Sequence, residues 1–257
     1  MKIGGKTADT VEGESMTDYE LLRDIIDKSE SVVFFGGAGV STESGIPDFR
    51  GNGGLYTKHE EDISPEEKLH ISYLMSNPNG FYKYYKNNMI CTWARPNDAH
   101  IMLSQLEKEG KLKAVITQNI DGLHQMAGSK NVIELHGSVH RNYCVRCGEE
   151  YTLDYILEKE GAPYCEKCGG LVRPDVVMYG EGLDAVAWQE AEEAIYNCET
   201  LIIGGTSMTV YPACTLVDAY QGEHLIIINK TPTSKDADAE LVINEPIGQV
   251  LKEALSD

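Results

Sequence analysis

The chain has 257 residues, 42% hydrophobic and 25% charged, the proportions of an ordinary globular protein with room for a large domain plus a small one. Its 22 basic and 41 acidic side chains leave a net charge of −19, which argues against nucleic-acid binding by phosphate neutralisation and suits cationic partners such as lysine-bearing peptides. No run of about 18 apolar residues occurs, so no membrane partner is expected, and the polar start MKIGGKTADTVEGESM lacks a secretory pattern, so a cytoplasmic protein with a mobile tail over residues 1–16 is expected.

In chain order, Leu21, Leu22, Ile25 and Ile26 form a first helical stripe. The apolar run 32–35 then enters the glycine cluster Gly36, Gly37 and Gly39, which reads as a buried strand delivering the chain into a phosphate-cradling loop. A fingerprint for hydride transfer would need glycine at position 42 and a helix soon after. Thr42 stands there, and the polar segment Ser44, Gly45, Pro47, Asp48, Phe49, Arg50 follows, so a loop rather than a helix is expected. Residues 50–92 carry helical patterns without a clear strand, and many aromatics, among them Tyr73, Phe81, Tyr82, Tyr84 and Tyr85. Pro96 opens a helix with Ala99, Leu103 and Leu106. Strands are read at 113–117 and 131–135, four clustered cysteines at 141–173, and a helix through Ala187, Ala191, Ala194, Ile195 and Cys198. Strands at 201–203, 225–228 and 241–243 alternate with helices starting at Pro212 and Pro246.

This alternation implies an α/β fold, a Rossmann-like doubly wound parallel sheet. Residues 17–49, 93–140 and 174–257 would form it, and the helical insertion 50–92 with the cysteine-bearing module 141–173 would form a smaller domain. Five strand ends carry glycine or hydrogen-bonding side chains: Gly37 to Gly39, Gln118 to Asp121, His136 and Gly137, Gly204 to Ser207, and Asn229. Ligands of open parallel sheets bind outside the carboxyl ends of strands, so one site is expected there.

Cys144-x2-Cys147, 17 residues, then Cys165-x2-Cys168 matches a tetrahedral Zn²⁺ spacing, with redox pairing as the alternative. A full set of four thiolates leaves no position for water, so such a site is structural. Cys91, Cys198 and Cys214 are scattered and read as reduced, structural residues. His136 is either a satisfied loop histidine or a neutral-pH base. Asn119 and Asp121 flank Ile120, so in extended chain both point one way, into a pocket or a simple turn. Arg50 reads as a surface ion pair or a phosphate contact.

Gly37-Ala38-Gly39-Val40-Ser41, Gly45 to Arg50, Thr117 to Asp121, His136-Gly137, the four cysteines, and Gly205-Thr206-Ser207 with Val210 and Pro212 resemble the sirtuins, NAD-dependent protein-lysine deacylases, in their zinc-containing bacterial type. The resemblance spans about residues 17–256. It implies NAD contacts from Ala38, Thr42, Phe49 and Arg50, a ribose contact from Gln118, and a nicotinamide pocket of Asn119, Ile120 and Asp121. It implies adenosine contacts from Thr206, Ser207, Asn229 and Ile247. His136 would be the general base, with Asn119 beside it as a catalytic residue. An acetyl-lysine peptide would add as a strand along Val177, Tyr179, Gly180 and Glu181 on one side and Met208 and Val210 on the other. The acyl oxygen would attack the ribose carbon bearing nicotinamide. His136 would then activate a ribose hydroxyl and water would finish the transfer, giving lysine and O-acyl-ADP-ribose. NAD would be consumed, zinc would be structural, and a monomer is expected. Gly36 and Tyr179 depart from the family's usual threonine and phenylalanine. Tyr82 is followed by Tyr85 where acidic-acyl enzymes carry arginine, so neutral acyl groups, acetyl first, are expected. Transfer of ADP-ribose to protein and NAD sensing without catalysis are the competing readings.

Overall fold

The computed structural model describes residues 16–48 and 63–256, so the expected tail, Phe49, Arg50 and the first part of the helical insertion lie outside the described residues. In chain order the elements are α1 (Asp18–Lys28), β1 (Val32–Gly36), α2 (Pro65–Lys68), α3 (Ile71–Ser76), α4 (Pro78–Asn88), α5 (Asp98–Lys108), β2 (Leu112–Thr117), α6 (Leu123–Ala127) and β3 (Val132–Glu134). They continue with β4 (Gly137–Cys144), β5 (Glu150–Tyr151), α7 (Leu153–Glu158), β6 (Val172–Val176), α8 (Ala185–Tyr196), β7 (Thr200–Gly204), β8 (His224–Ile228), β9 (Leu241–Ile243) and α9 (Ile247–Leu255).

Six strands form a parallel sheet in the order β3-β2-β1-β7-β8-β9. Their apolar runs follow from burial on both faces. Val32 and Phe34 pack with Leu22, Ile26, Leu103 and Leu251 of α1, α5 and α9, whereas Val33 and Phe35 pack with Ala191 and Ile195 of α8. The chain leaves β1 for β2 on one side and reaches β7 on the other, so the order reverses between β1 and β7. A crevice opens at such a switch point, and it is here that the glycine ends Gly36 and Gly204 lie side by side. The turn begun at Pro212 is a 3-10 helix over Ala213–Ala219 rather than an α-helix.

A second sheet, β5-β4-β6, is antiparallel and was not expected from the sequence. β4 runs through position 140 and β6 through position 173, the expected edges of the small domain. Leu74, Phe81, Tyr82 and Tyr85 of the helical insertion share a core with Cys144, Ile156 and Val172, which fastens the insertion to this sheet.

Between α5 and α6 the rings of His100 and His124 lie 4.6 Å apart, almost fully buried. Among the described residues, Nε2 of His100 and both ring nitrogens of His124 have no hydrogen-bond partner. Burial pushes their pKa values down to about 4 and about 3, from an ordinary 6.5. The unfolded chain therefore takes up these protons first, and the stability of the neutral pair, whole above about pH 7, falls as pH drops through 6.5 toward 4. At about 1.4 kcal/mol per unit, the pair contributes several kcal/mol to this loss. Thermal unfolding followed between pH 7 and pH 4 will show a steep fall in Tm, and a His124→Phe variant will show a shallower one.

Candidate functional site at the sheet's switch point

Three strand ends and two glycine loops build the site. β1 ends at Gly36, and Ala38–Ser44 then winds as a 3-10 helix closed by Gly45 at φ +84°. The 3-10 helix ends there, with N–H of Gly45 on the carbonyl of Thr42 at 3.0 Å, and the segment expected as a loop is non-helical from Gly45 through Asp48. The loop after β7 meets it: Gly39 donates its N–H to the carbonyl of Gly205 at 2.8 Å. A Cβ on Gly39 would come within 2.7 Å of that oxygen, and one on Gly37 within 2.9 Å of Thr206, so the close approach requires glycine.

The end of β2 sits against both loops. Gln118 donates its N–H to Gly36 O at 3.0 Å and its side-chain amide to the hydroxyl of Thr206 at 3.2 Å. The Asn119 amide donates to Gly37 O at 3.1 Å and to the Ser41 hydroxyl at 3.2 Å. Ser41 in turn donates to Asp121 at 2.6 Å, and the other Asp121 oxygen accepts the N–H of Leu123 at 2.9 Å. Burial nevertheless pushes the Asp121 carboxyl above its ordinary pKa, against the pull of those two bonds. Asn119 and Asp121 are thus linked through Ser41, while the Asp121 bond to Leu123 also closes a local turn.

His136 follows β3. Its Nδ1 lies 2.8 Å from the carbonyl of Gln118. A carbonyl only accepts, so Nδ1 carries the hydrogen and Nε2 keeps its lone pair. Among the described residues none bonds Nε2. Burial lowers the pKa of His136, only partly offset by the Gln118 bond, so the ring is neutral near pH 7 and able to accept a proton.

Other expected positions fall around this centre with differing roles. Ala38 lies half-buried at the head of the 3-10 helix. The Thr42 hydroxyl turns inward to Gly39 O at 2.8 Å. Ile120 packs against the small-domain core. Ser207 is exposed and pairs with Thr209 at 2.8 Å. Asn229 is buried at the end of β8, its amide on Thr231 O at 2.7 Å. Ile247 is 2% exposed and fills the space above Gly204, where a Cβ would meet it at 2.1 Å. In the segment expected to meet a peptide, Val177 donates its N–H to the carbonyl of His136 at 3.0 Å. Tyr179 is bridged through its backbone to Leu69 and Ile71. Met208 has φ 53° and buries its side chain among core residues. Val210 is half-buried, its carbonyl accepting the Cys214 N–H at 3.0 Å.

Four thiols meet at the far end of the small sheet. Sulfurs of Cys144 and Cys168 are 3.5 Å apart, those of Cys147 and Cys165 3.6 Å, and those of Cys168 and Cys147 3.4 Å. Zn–S bonds of about 2.3 Å would set sulfurs about 3.8 Å apart, so the cluster fits one tetrahedral ion with no coordination position to spare. The Arg146 N–H and the Tyr151 hydroxyl point at Cys144 and Cys165, the donors a bound thiolate accepts. Cys198 and Cys214 are core residues, and Cys91 is half-buried.

Three residues with clear roles escaped the sequence reading. Ser41 links Asn119 to Asp121, and its place in the glycine loop after β1 is the signal that the sequence offers. Asn97 caps α5 and also donates to Val40 O at 2.7 Å, holding the glycine loop. Glu43 accepts the N–H groups of Gly248 and Gln249 at 2.7 and 3.3 Å, capping the start of α9, which has no side-chain cap of its own.

Residues 37–212 match the model of the Sir2 family. A protein of Clostridium perfringens named NAD-dependent protein deacetylase is 55% identical over 232 residues, covering 90% of this chain and 95% of the relative. One of the same name from Clostridium acetobutylicum is 52% identical over 233 residues, with the same two coverages. Among solved structures, a Sir2 with a p53 peptide and NAD+ is similar at TM-score 0.79 and 38% identity, covering 92% of this chain and 96% of that one. A Sir2 bound to acetylated peptide is similar at TM-score 0.79 and 36% identity, covering 93% and 98%.

Proposed function

The chain belongs to the Sir2 family, and we infer from this that it is an NAD-dependent protein-lysine deacetylase whose working residues are those gathered at the switch point. The observation that carries the assignment of roles is the His136 ring, pinned as the Nδ1–H tautomer with Nε2 available.

The donor set fits NAD: amide, hydroxyl and carboxyl groups of Gln118, Asn119, Ser41, Asp121 and Thr206 form one network beside two glycine loops. When bound, NAD supplies a ribose carbon that nicotinamide can leave and hydroxyl groups on that ribose. We assign nicotinamide to Asn119, Ile120 and Asp121. The raised pKa of Asp121 favours a carboxyl group that exchanges hydrogen bonds with a carboxamide at little cost in charge burial. Asn119 and Gln118, anchored to Gly37 and Gly36, hold their amides still. Nε2 of His136 takes the proton of a ribose hydroxyl, and the Gln118 carbonyl steadies the imidazolium that results. Ala38, Thr42, Phe49 and Arg50 are assigned to the loop side of the cofactor, and Thr206, Ser207, Asn229 and Ile247 to the adenosine half. The four cysteines would hold a structural Zn²⁺.

We assign the acyl-lysine peptide to the cleft between segment 177–181 and Met208 to Val210. Neutral acyl groups, acetyl first, are the proposed substrates, because Tyr82 and Tyr85 are packed away in the small-domain core and α4 has no arginine to pair an acyl carboxylate. Among the described residues no helix is long and apolar enough to cross a membrane. A net charge of −19 supports a protein that works away from nucleic acid, and we propose a cytoplasmic monomer.

Acetyl-, longer-acyl- and succinyl-lysine peptides, incubated with and without NAD and read by mass spectrometry, test this. The expected result is rapid deacetylation only with NAD and little action on succinyl-lysine. Preference for succinyl-lysine, or turnover without NAD, would overturn it.

A further inference from the structure

We propose that Arg173 is a positioning residue for peptide binding, acting through Glu181 to hold the 177–181 segment in the shape that receives the substrate backbone. The inference rests on the deacetylase reading of the site. Arg173 lies on β6, which runs directly into the segment. Its guanidinium forks onto the Glu181 carboxylate at 2.6 and 2.8 Å and also donates to the carbonyl of Val176 at 3.0 Å. The same carboxylate accepts the N–H of Met178 at 3.0 Å, while the N–H of Glu181 closes on the carbonyl of Met178 at 3.0 Å. The chain therefore makes a tight turn over 178–181, with Gly180 at φ +88°. A Cβ there would come within 2.6 Å of the His70 ring, so the turn is also wedged against the helical insertion.

The pair is sheltered, its side chains 11% and 24% exposed, and the geometry is bidentate, the arrangement in which an arginine fork gives direction as well as charge. Glu181 is thereby occupied. Its carboxylate is not offered to basic side chains of a substrate, and the part of this turn that meets a peptide is backbone. The turn is joined at one end to the base, through Val177 N–H on the His136 carbonyl, and at the other to the insertion, through Tyr179. Loosening the latch should therefore misplace the strand that an acyl-lysine peptide pairs with, while the glycine loops around NAD, held by separate bonds, keep their place.

The test is steady-state kinetics on the whole chain for Arg173→Gln, Arg173→Lys, Glu181→Gln and the double variant Arg173→Gln/Glu181→Gln, with acetyl-peptide and NAD varied separately. Wild-type turnover that needs both substrates establishes the reading on which the inference rests. The expected result is a KM for peptide raised about tenfold in each single variant, the loss of one charge-assisted bond system, with KM for NAD and zinc content unchanged. Arg173→Lys should fail to restore it, since an ammonium cannot fork, and the double variant should be no worse than the singles because both act on one latch. Should Arg173→Gln fold poorly, Glu181→Gln, which keeps an acceptor for Met178, decides alone. Equal rises in both KM values, full function in Glu181→Gln, or additive losses in the double variant would overturn the proposal.

Discussion

Replacing His136 with alanine will lower kcat for deacetylation by about a hundredfold to ten-thousandfold, the range for removal of a positioned general base, with KM for NAD little changed. The reason is geometric before it is electrostatic. Nδ1 is committed to the Gln118 carbonyl, so the ring cannot turn Nε2 away without breaking a buried bond. The ring's pKa is lowered by burial, so the base form is present at neutral pH and is lost only when pH falls below the ordinary histidine range. The acid limb of the kcat/KM profile will therefore lie below 6.5, the ordinary value from which burial lowers it. An acid limb above that value would contradict the assignment, as would a His136→Ala variant with unchanged kcat.

Replacing Cys144 with serine will remove the zinc and collapse the small domain. Structural zinc sites bind with roughly 10–16 kcal/mol in small peptides, so losing one of four ligands costs several kcal/mol even in a larger fold. In a chain of this size that is a fall in Tm of roughly 10 °C or more. Deacetylation should be lost with it, since the zinc-bearing sheet frames the site. β4 starts at Gly137, next to His136, β6 ends at Val176, next to the segment 177–181, and Gly137 pairs with Val176. Zinc content, Tm and turnover measured together decide the matter. The expected result is about one zinc per wild-type chain and almost none in the variant. A Cys144→Ser protein with unchanged Tm and activity would show that the metal plays no structural part.

The large sheet was legible because its central strands β1 and β7 are buried throughout and read as apolar runs, and because its strands end in glycine or a polar residue. The four cysteines were legible because two close pairs declare one ion. The small antiparallel sheet was not. Gly137-Ser138-Val139-His140-Arg141-Asn142-Tyr143-Cys144 has no clean alternation, and its pairing with β6 shifts register between Ser138 and Asn142. Ser41, Asn97 and Glu43 were missed for a different reason. Each acts on a partner far along the chain, Asp121, Val40 and Gly248 respectively, and no local pattern records such a partnership. The side chains of Met208 and Ile247 are packed in the core, which only packing reveals.

We assign to the glycine loop, the β2 end and His136, acting together, the breaking of the nicotinamide bond of NAD and the passage of the acetyl group to ADP-ribose. The direct measurement supplies acetyl-lysine peptide and NAD labelled in its ADP-ribose part, and follows the label by mass spectrometry. The expected result is one nicotinamide, one free lysine and one labelled O-acetyl-ADP-ribose for each NAD consumed, with no label on protein. Label retained on protein, with acetyl-lysine intact, would contradict it and make the chain an ADP-ribosyl transferase.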